Sequence, residues 1–232
     1  MNVLLCLPRL DCLPLLRLFP PVGIAYVSAS LKKAGFNVYT FNTSLSVKRP
    51  LKEELRHIIT ENNITIVGCG GLVTDYPGIK EIIDTVKSIK PEIITFIGGS
   101  FVTYSPTEAM SLISTADIGI IGEGEVTTCE LISALEARED IRMVRGLVIR
   151  DDCGKDTITL TEPRTEITDI DSIPWPDREG FGLYDIFPDS TYGAVTTSRS
   201  CPYKCTFCAQ SGGSAYRERC LDGVFDEIDY LI

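Results

Sequence analysis

Three cysteines, Cys201, Cys205 and Cys208, lie within eight residues in the spacing C-x-x-x-C-x-x-C. Thiolates this close in sequence pair poorly with one another, but from one loop they can converge on a soft metal centre, either zinc or an iron–sulfur cluster. A structural zinc site takes four ligands, and the nearest further candidates are Cys220 and the only histidine, His57. The spacing therefore favours a cluster with one open iron, with a zinc knuckle or three structural cysteines as the alternatives.

The surrounding segment, TTSRSCPYKCTFCAQ at residues 196–210, resembles the cluster loop of the radical S-adenosylmethionine superfamily. The resemblance implies a four-iron, four-sulfur (4Fe-4S) cluster on Cys201, Cys205 and Cys208, with S-adenosylmethionine chelating the fourth iron. It also implies that Phe207 lies near the adenine, and that an electron from the cluster cleaves the sulfonium to a deoxyadenosyl radical. A small-molecule substrate and an electron donor such as flavodoxin or ferredoxin are the partners it implies.

The elements before this segment alternate short apolar runs with helical periodicity, which is typical of a parallel α/β sheet with helices on both faces. The sequence predicts strands at residues 3–7, 36–41, 64–69, 93–97 and 118–121. Helices are predicted at residues 23–34, 50–61, 79–89, 106–113 and 125–138. The predicted fold class is α/β, with a five-stranded, parallel, doubly wound (flavodoxin-like) sheet.

Glycine follows three of these strands, at the carboxyl ends where open parallel sheets bind their ligands. Glycine there lets a large cofactor approach the backbone, although ordinary strand-to-helix turns would also explain it. None of the loops contains a dinucleotide-binding fingerprint or a Walker motif, so NAD and ATP are not expected as ligands. The candidate cofactor-binding residues in these loops are Gly70, Gly71, Gly98, Gly99, Ser100, Gly122, Glu123 and Gly124.

Residues 1–140, placed directly before a radical cluster segment, resemble the cobalamin-binding domain carried by a large class of radical S-adenosylmethionine enzymes. The resemblance implies cobalamin contacts from the glycine loops and from Pro21, Val22 and Gly23. The Asp-x-His-x-x-Gly motif that supplies a histidine to cobalt elsewhere is absent, since the first loop reads LPRLDC at residues 7–12. We expect cobalamin without a protein histidine on cobalt, or else a vestigial domain that binds nothing.

Beyond residue 140 the sequence predicts a β-hairpin at 146–150 and 157–161, then a Pro/Asp-rich linker in which Trp175 is a packing anchor. A strand at 192–197 and an amphipathic helix at 222–232 flank the cysteines. The predicted domains are 1–140, 141–191 and 192–232, the last being the start of a truncated (β/α) barrel.

A barrel needs about 200 residues. We therefore expect a fragment that does not turn over substrate, with poor solubility or a frayed C-terminus.

Composition narrows the function classes. The net charge of −10 and the lack of a Lys/Arg stripe argue against a nucleic-acid groove. The apolar N-terminus is interrupted by Pro8, Arg9 and Asp11 and has no basic n-region, so we predict neither a signal peptide nor a membrane partner. Nine cysteines, an odd number, fit metal chemistry in a reducing compartment, which predicts the cytoplasm.

The function predicted from the residues and the resemblance is that of a cobalamin-dependent radical S-adenosylmethionine enzyme. It would carry out methyl transfer or a related C–H functionalisation. One alternative is a cyclase or methylthiotransferase-like relative in which the cobalamin domain is vestigial. The other is a cobalamin- or metal-binding module without catalysis of its own.

Overall fold

The computed structural model describes residues 1–9, 22–45, 49–151, 157–182, 194–208 and 215–232. Within these ranges the chain forms nine strands, seven α-helices and three short 3-10 helices. The strands are β1 (Asn2–Leu7), β2 (Asn37–Asn42), β3 (Ile66–Gly70), β4 (Ile94–Gly98), β5 (Ile118–Ile120), β6 (Leu147–Asp151), β7 (Thr157–Leu160), β8 (Ser198–Arg199) and β9 (Arg217–Glu218). The helices are α1 (Val22–Lys33), α2 (Leu51–Glu61), α3 (Tyr76–Ile89), α4 (Ser100–Tyr104), α5 (Pro106–Leu112), α6 (Gly124–Ala137) and α7 (Leu221–Leu231).

Seven strands form one sheet in the order β2-β1-β3-β4-β5-β6-β7. The first five are parallel, whereas β6 and β7 are antiparallel to their neighbours at the edge. The chain reverses its direction of winding between β1 and β3, and at such a point the carboxyl ends of the strands open a ligand crevice. The predicted α/β fold with a five-stranded, doubly wound parallel sheet is confirmed.

The sheet is buried on both faces because its side chains alternate between two apolar clusters. In β1, Leu4 and Cys6 face the cluster covered by α2, α3 and α5. Val3 and Leu5 face the opposite cluster, which α1 and α6 cover. The helices hold this position through amphipathic spacing, so α3 buries residues 79, 82, 83 and 86 and leaves its other face to solvent. This rigid layer fixes the loops at its edge.

The predicted hairpin forms, but it belongs to the main sheet and is not a separate unit. It forms with the predicted antiparallel pairing, but β6 also pairs with β5 and so extends the main sheet. The physical reason is the edge of β5, a strand of only three residues whose backbone groups would otherwise lack partners. Turn residues 152–154 lie outside the described residues. The domain boundaries at 140 and 191 stay predictions.

The strand predicted at residues 192–197 is wrong for 194–197, which have no regular secondary structure, while 192 and 193 lie outside the described residues. β-propensity alone does not form a strand without a pairing edge. Here the carbonyls of Ala194 and Thr196 accept hydrogen bonds from the guanidinium groups of Arg178 and Arg219 instead. Pairing begins two residues later, where β8 meets β9 in a short antiparallel ribbon.

The linker contacts the C-terminal helix. Trp175 packs against Tyr230 of α7 with ring centroids 5.4 Å apart, which agrees with the predicted packing anchor. In α7 Val224 is buried, whereas Phe225 is exposed. In the part of the chain that the structure describes, no helix has the length and apolar character needed to cross a membrane.

Candidate functional site

The structure brings the three glycine-bearing loops together at the carboxyl edge of the sheet. The amide of Gly71, after β3, donates to the carbonyl of Gly98 at 3.2 Å, and Phe101 N–H donates back to Gly71 at 3.3 Å. The third loop joins them through Gly122, whose amide donates to Thr103 Oγ1 at 3.0 Å. The loops after β3, β4 and β5, which we call the carboxyl-edge loops, therefore form one continuous surface.

Glycine in these loops serves loop-to-loop packing. A Cβ on Gly70 would lie 2.9 Å from the carbonyl oxygen of Gly98, and one on Gly99 would lie 2.5 Å from that of Gly71. Gly99 also has a φ of +88°, a conformation that L side chains rarely adopt. The ordinary-turn explanation thus accounts for part of the glycine pattern. Gly122 differs, because nothing lies within 4 Å of a Cβ built on it, so its loop has open space beside the backbone.

Exposed apolar side chains stand on the carboxyl-edge loops, and the sequence analysis missed them. In the loop after β3, Leu72 is 56% exposed and Val73 65%, and Tyr104 at the C-terminal end of α4 is 44% exposed, although apolar side chains of this size are usually buried. Leu72 and Val73 follow directly on Gly70-Gly71, so the signal was present as an apolar pair inside a turn. Such a patch beside open backbone fits a large, partly apolar ligand.

The remaining predicted cofactor-binding residues lie near the same edge of the sheet or outside the residues that the structure describes. Val22 and Gly23 begin α1, which follows β1, and no atom lies within 4 Å of a Cβ built on Gly23. Pro21 lies outside the described residues, as do residues 10–12 of the first loop. Ser100 begins α4 and is half-buried. His57 lies on the exposed side of α2, so the one histidine of the chain is not among the carboxyl-edge loops.

The cysteine segment is accessible. Cys201 is half-buried, Cys205 and Cys208 are exposed, and all three are free thiols. A turn closes between the last two, in which Cys208 N–H donates to the Cys205 carbonyl at 3.0 Å, and Phe207 at its tip is 92% exposed.

The three sulfurs do not converge in the structure. In the ranges that the structure describes, no three His, Cys, Asp or Glu side chains are grouped closely enough to hold a metal ion. The donor set still fits a soft metal group, because three free thiols share one accessible loop and none is committed to a disulfide. The metal assignment of these cysteines stays a prediction.

Glu123, a predicted cofactor residue, has protein partners for both carboxylate oxygens. It accepts from the Ile167 amide at 2.7 Å and from Arg199 and Arg217 at 3.0 Å each. Glu125, on the first turn of α6, accepts from Arg199 at 2.5 Å. Sequence reasoning missed Arg199 and Arg217, because their partners lie more than seventy positions away in the chain.

Burial in this network acts on the pKa of Arg199 in two directions. Loss of solvent lowers it, while Glu125 and Glu123 raise it by more, so the net shift is upward. The guanidinium therefore stays charged at any ordinary pH, and it also lies 5.1 Å from the ring centroid of Tyr26 on α1.

Three other cysteines are unsuited to nucleophilic chemistry. Burial raises the pKa of the Cys6 and Cys69 thiols well above their usual range, and Cys6 adds to the shift of Cys69. Burial, followed by Glu125 and Glu130, raises the pKa of Cys129 to about 11. Because the thiolate is the reactive form, these groups act as small apolar side chains at neutral pH.

Comparison with known families assigns the N-terminal region to one of them. The model of the B12 binding domain family matches residues 13–132, slightly more than half of the chain. This range contains all three carboxyl-edge loops. The predicted resemblance of residues 1–140 to a cobalamin-binding domain is confirmed at the level of family.

Individual relatives extend beyond that domain. The chain is 27% identical over 226 residues to an uncharacterized methyltransferase of Pyrococcus horikoshii, covering 91% of this chain and 46% of the relative. It is 28% identical over 198 residues to the anaerobic magnesium-protoporphyrin IX monomethyl ester cyclase of Synechocystis sp., covering 83% and 38%. The chain thus spans less than half the length of these curated relatives.

A solved structure shares the fold. The radical S-adenosylmethionine methyltransferase TsrM from Kitasatospora setae, with cobalamin and a [4Fe-4S] cluster bound, superimposes with a TM-score of 0.79 at 19% identity, covering all of this chain and 46% of TsrM. The likeness therefore includes the cysteine segment and α7 as well as the sheet. The chain belongs to the B12-binding domain family, and over its whole length it shares the fold of a cobalamin-dependent radical S-adenosylmethionine enzyme.

Proposed function

We propose that this chain is part of a cobalamin-dependent radical S-adenosylmethionine enzyme that transfers a methyl group or functionalises a C–H bond in a related way. The observation that carries the proposal is the combination of a B12-binding domain at 13–132 and three thiols at 201–208 within one chain. A cobalamin domain alone would suit many mutases and carriers. The cysteine segment is what adds radical chemistry to it.

Cobalamin would lie on the carboxyl-edge loops. Gly122 has open space beside its backbone there, and the exposed side chains of Leu72 and Val73 would meet the methyl groups and other apolar atoms of the corrin. Burying such a patch against an apolar ligand removes it from water, which favours binding. When bound, cobalamin supplies a transferable methyl group. With His57 on α2, we propose that no protein imidazole ligates the cobalt.

Cys201, Cys205 and Cys208 would hold a 4Fe-4S cluster, with Phe207 beside the adenine of S-adenosylmethionine. These groups, when bound, supply the radical that abstracts hydrogen from the substrate. An exposed cysteine segment is consistent with an electron donor of the flavodoxin or ferredoxin type docking nearby. Exposed free thiols also survive best in a reducing compartment, so we propose a cytoplasmic protein. The net charge of −10 supports the proposal that it has no nucleic-acid partner.

A cyclase is the second candidate. The cyclase relative is 28% identical to this chain and the methyltransferase relative 27%, so identity does not separate the two reactions. A carrier without catalysis would bind cobalamin but would not cleave S-adenosylmethionine. The expectation that these 232 residues alone do not sustain turnover stays a prediction, which an assay of deoxyadenosine formation by the reconstituted chain would test.

The cobalamin proposal is tested by titrating the 232-residue chain with hydroxocobalamin. The variant Leu72→Asp with Val73→Asp places two charges where the corrin edge would lie, and we expect its affinity to fall at least tenfold, about 1.4 kcal/mol. Met143→Asp is the matched control, because Met143 is 82% exposed and lies outside these loops. Equal affinity of both variants, or no binding by the unaltered chain, would refute the assignment.

The complex of this chain with cob(II)alamin also allows a test of whether a protein histidine ligates the cobalt. We expect the electron paramagnetic resonance spectrum of cob(II)alamin on this chain to be unaltered when His57 is labelled with nitrogen-15 or replaced by alanine. A change in nitrogen splitting on labelling would show that His57 reaches the cobalt and that the proposed geometry is wrong.

A further inference from the structure

A buried ion-pair network joins the β8–β9 ribbon to the loop between β5 and α6. Arg199 bridges Glu123 at 3.0 Å and Glu125 at 2.5 Å, and Arg217 contacts Glu123 at 3.0 Å. None of these four side chains is more than 14% exposed. Surface ion pairs contribute little, but removing one partner of a buried pair leaves an uncompensated charge and is strongly unfavourable. The geometry of the network is therefore tightly constrained.

Arg199 is held on three sides. The two carboxylates accept hydrogen bonds from its two terminal nitrogens, and the centroid of the buried Tyr26 ring on α1 lies 5.1 Å from it. Its backbone pairs with that of Arg217 in the ribbon. A guanidinium fork can bridge two carboxylates in fixed directions, which an ammonium cannot do. This arrangement fixes an orientation as well as a charge.

The two ends of the network lie next to the two proposed cofactor segments. Arg199 stands two positions before Cys201, and the intervening Ser200 has a φ of +67°. Glu123 directly follows Gly122, the glycine whose amide joins the third carboxyl-edge loop to the second. Arg199 and the two carboxylates thus connect the residues directly before the cysteines to the third carboxyl-edge loop and the start of α6.

We propose that Arg199, Glu123 and Glu125 are positioning residues that fix the cysteine segment at 201–208 relative to the carboxyl-edge loops. The proposal rests on the proposed function in so far as these segments hold a cluster and cobalamin. Two reactive groups held on separate segments of one chain need a fixed mutual geometry, since misplacement of about 1 Å can reduce a rate by a hundredfold. The network supplies this geometry through contacts between protein groups.

Hydrogen–deuterium exchange of the cofactor-free chain tests the proposal. In Glu125→Gln we expect amide exchange in peptides covering 194–208 and 215–220 to rise at least about tenfold, because the ribbon loses its charged anchor. Peptides from β1, β3 and α3 should be unchanged. Arg199→Lys, which keeps the charge and loses the fork, should give a smaller rise in the same peptides.

Glu130→Gln is the matched control. Glu130 lies on the same helix and also pairs with an arginine, Arg164, but its side chain is 48% exposed. We expect no change in the exchange of 194–208 in this variant. The proposal is overturned if Glu125→Gln leaves that segment unchanged, or if exchange rises equally throughout the sheet, which would indicate a role in general stability only.

A second readout uses the loaded protein. After reconstitution, Glu125→Gln should bind the same amounts of iron and cobalamin as the unaltered chain, but the magnetic interaction between the reduced cluster and cob(II)alamin should be weaker or more broadly distributed. An unaltered interaction would contradict positioning. If the chain binds neither group, the proposed function fails, while the exchange experiment still decides whether the network anchors the cysteine segment.

Discussion

At the scale of single residues, Gly99 and Gly122 form a natural pair for comparison. Both have positive φ, +88° and +78°, but a Cβ on Gly99 would lie 2.5 Å from the Gly71 carbonyl oxygen, whereas nothing lies within 4 Å of one on Gly122. Gly122→Ala should cost about 1–2 kcal/mol of unfolding free energy from backbone strain. Gly99→Ala should cost at least about 1 kcal/mol more because the backbones must separate.

Urea unfolding of both variants measures the two free energies. Equal losses would show that the loops after β3 and β4 do not pack as closely as the geometry indicates.

Asp177 connects the linker to α1, and its contribution to the free energy of unfolding depends on pH. Its carboxylate accepts from Ser28 Oγ at 2.5 Å and from Lys32 Nζ at 2.6 Å. Burial raises the pKa of Asp177, but the bonds from Lys32 and Ser28 lower it by more, so the net shift is downward. A depressed pKa in the folded state stabilises the fold above the unfolded pKa, about 4, and this contribution is lost as the pH falls through the folded value.

We therefore expect Asp177→Asn to lower the unfolding free energy by about 1 kcal/mol at pH 7, and by progressively less below about pH 4. Unfolding curves across this range measure the difference, with Asp229→Asn at an exposed position of α7 as the control. A loss that is the same at pH 3 and pH 7 would be inconsistent with this ion pair.

Residue identities and spacing sufficed for some of the site but not for its contacts. The three cysteines and the single histidine are local features, which a sequence displays directly. The partners of Glu123 are not local: Arg199 is 76 positions away and Arg217 is 94. A surface position and a buried ion pair look alike in a sequence, because only the folded chain decides which charges meet.

At the scale of elements, α7 is anchored by charge as well as by apolar contacts. Glu227 on this helix is fully buried and accepts from Arg178 at 2.5 Å and also from Arg219. Glu227→Gln would leave the buried guanidinium of Arg178 without this carboxylate and would take one carboxylate partner from Arg219, which keeps Asp171; we expect a cost of about 3–5 kcal/mol. Protease resistance and amide exchange of α7 measure its attachment.

Asp226→Asn, the exposed neighbour on the same helix, is the control and should change little. If Glu227→Gln and Asp226→Asn are equally mild, the helix is held mainly by Val224 and Trp175 and the ion pairs are dispensable.

The sequence predicted helices and strands correctly where the spacing of apolar residues agrees with the positions of turn-forming residues. The five parallel strands are each followed by a turn former, and α3 shows one buried stripe at helical spacing. Prediction failed at residues 194–197 because apolar, β-prone residues need a neighbouring edge, and arginine side chains satisfy those carbonyls instead. The hairpin was predicted as a unit, but its attachment to β5 depends on an edge that only the assembled sheet creates.

At the scale of the whole molecule, the chain joins two segments with different chemistry. The sheet presents glycine and exposed apolar side chains at its carboxyl edge, while residues 201–208 present three free thiols. The B12-binding match accounts for the first segment. The second carries the claim that this is a radical enzyme and not only a cobalamin carrier.

The central claim is tested most directly by the iron content and absorbance of the chain after anaerobic reconstitution. We predict about one four-iron cluster per chain, with the broad absorbance near 400 nm of cysteine-ligated clusters. Replacement of Cys201, Cys205 and Cys208 by alanine should abolish both signals. Cys220→Ser, which alters a nearby exposed cysteine outside the motif, should leave them unchanged. Stoichiometric zinc in the purified protein, together with iron retained by the triple-alanine variant, would contradict the account.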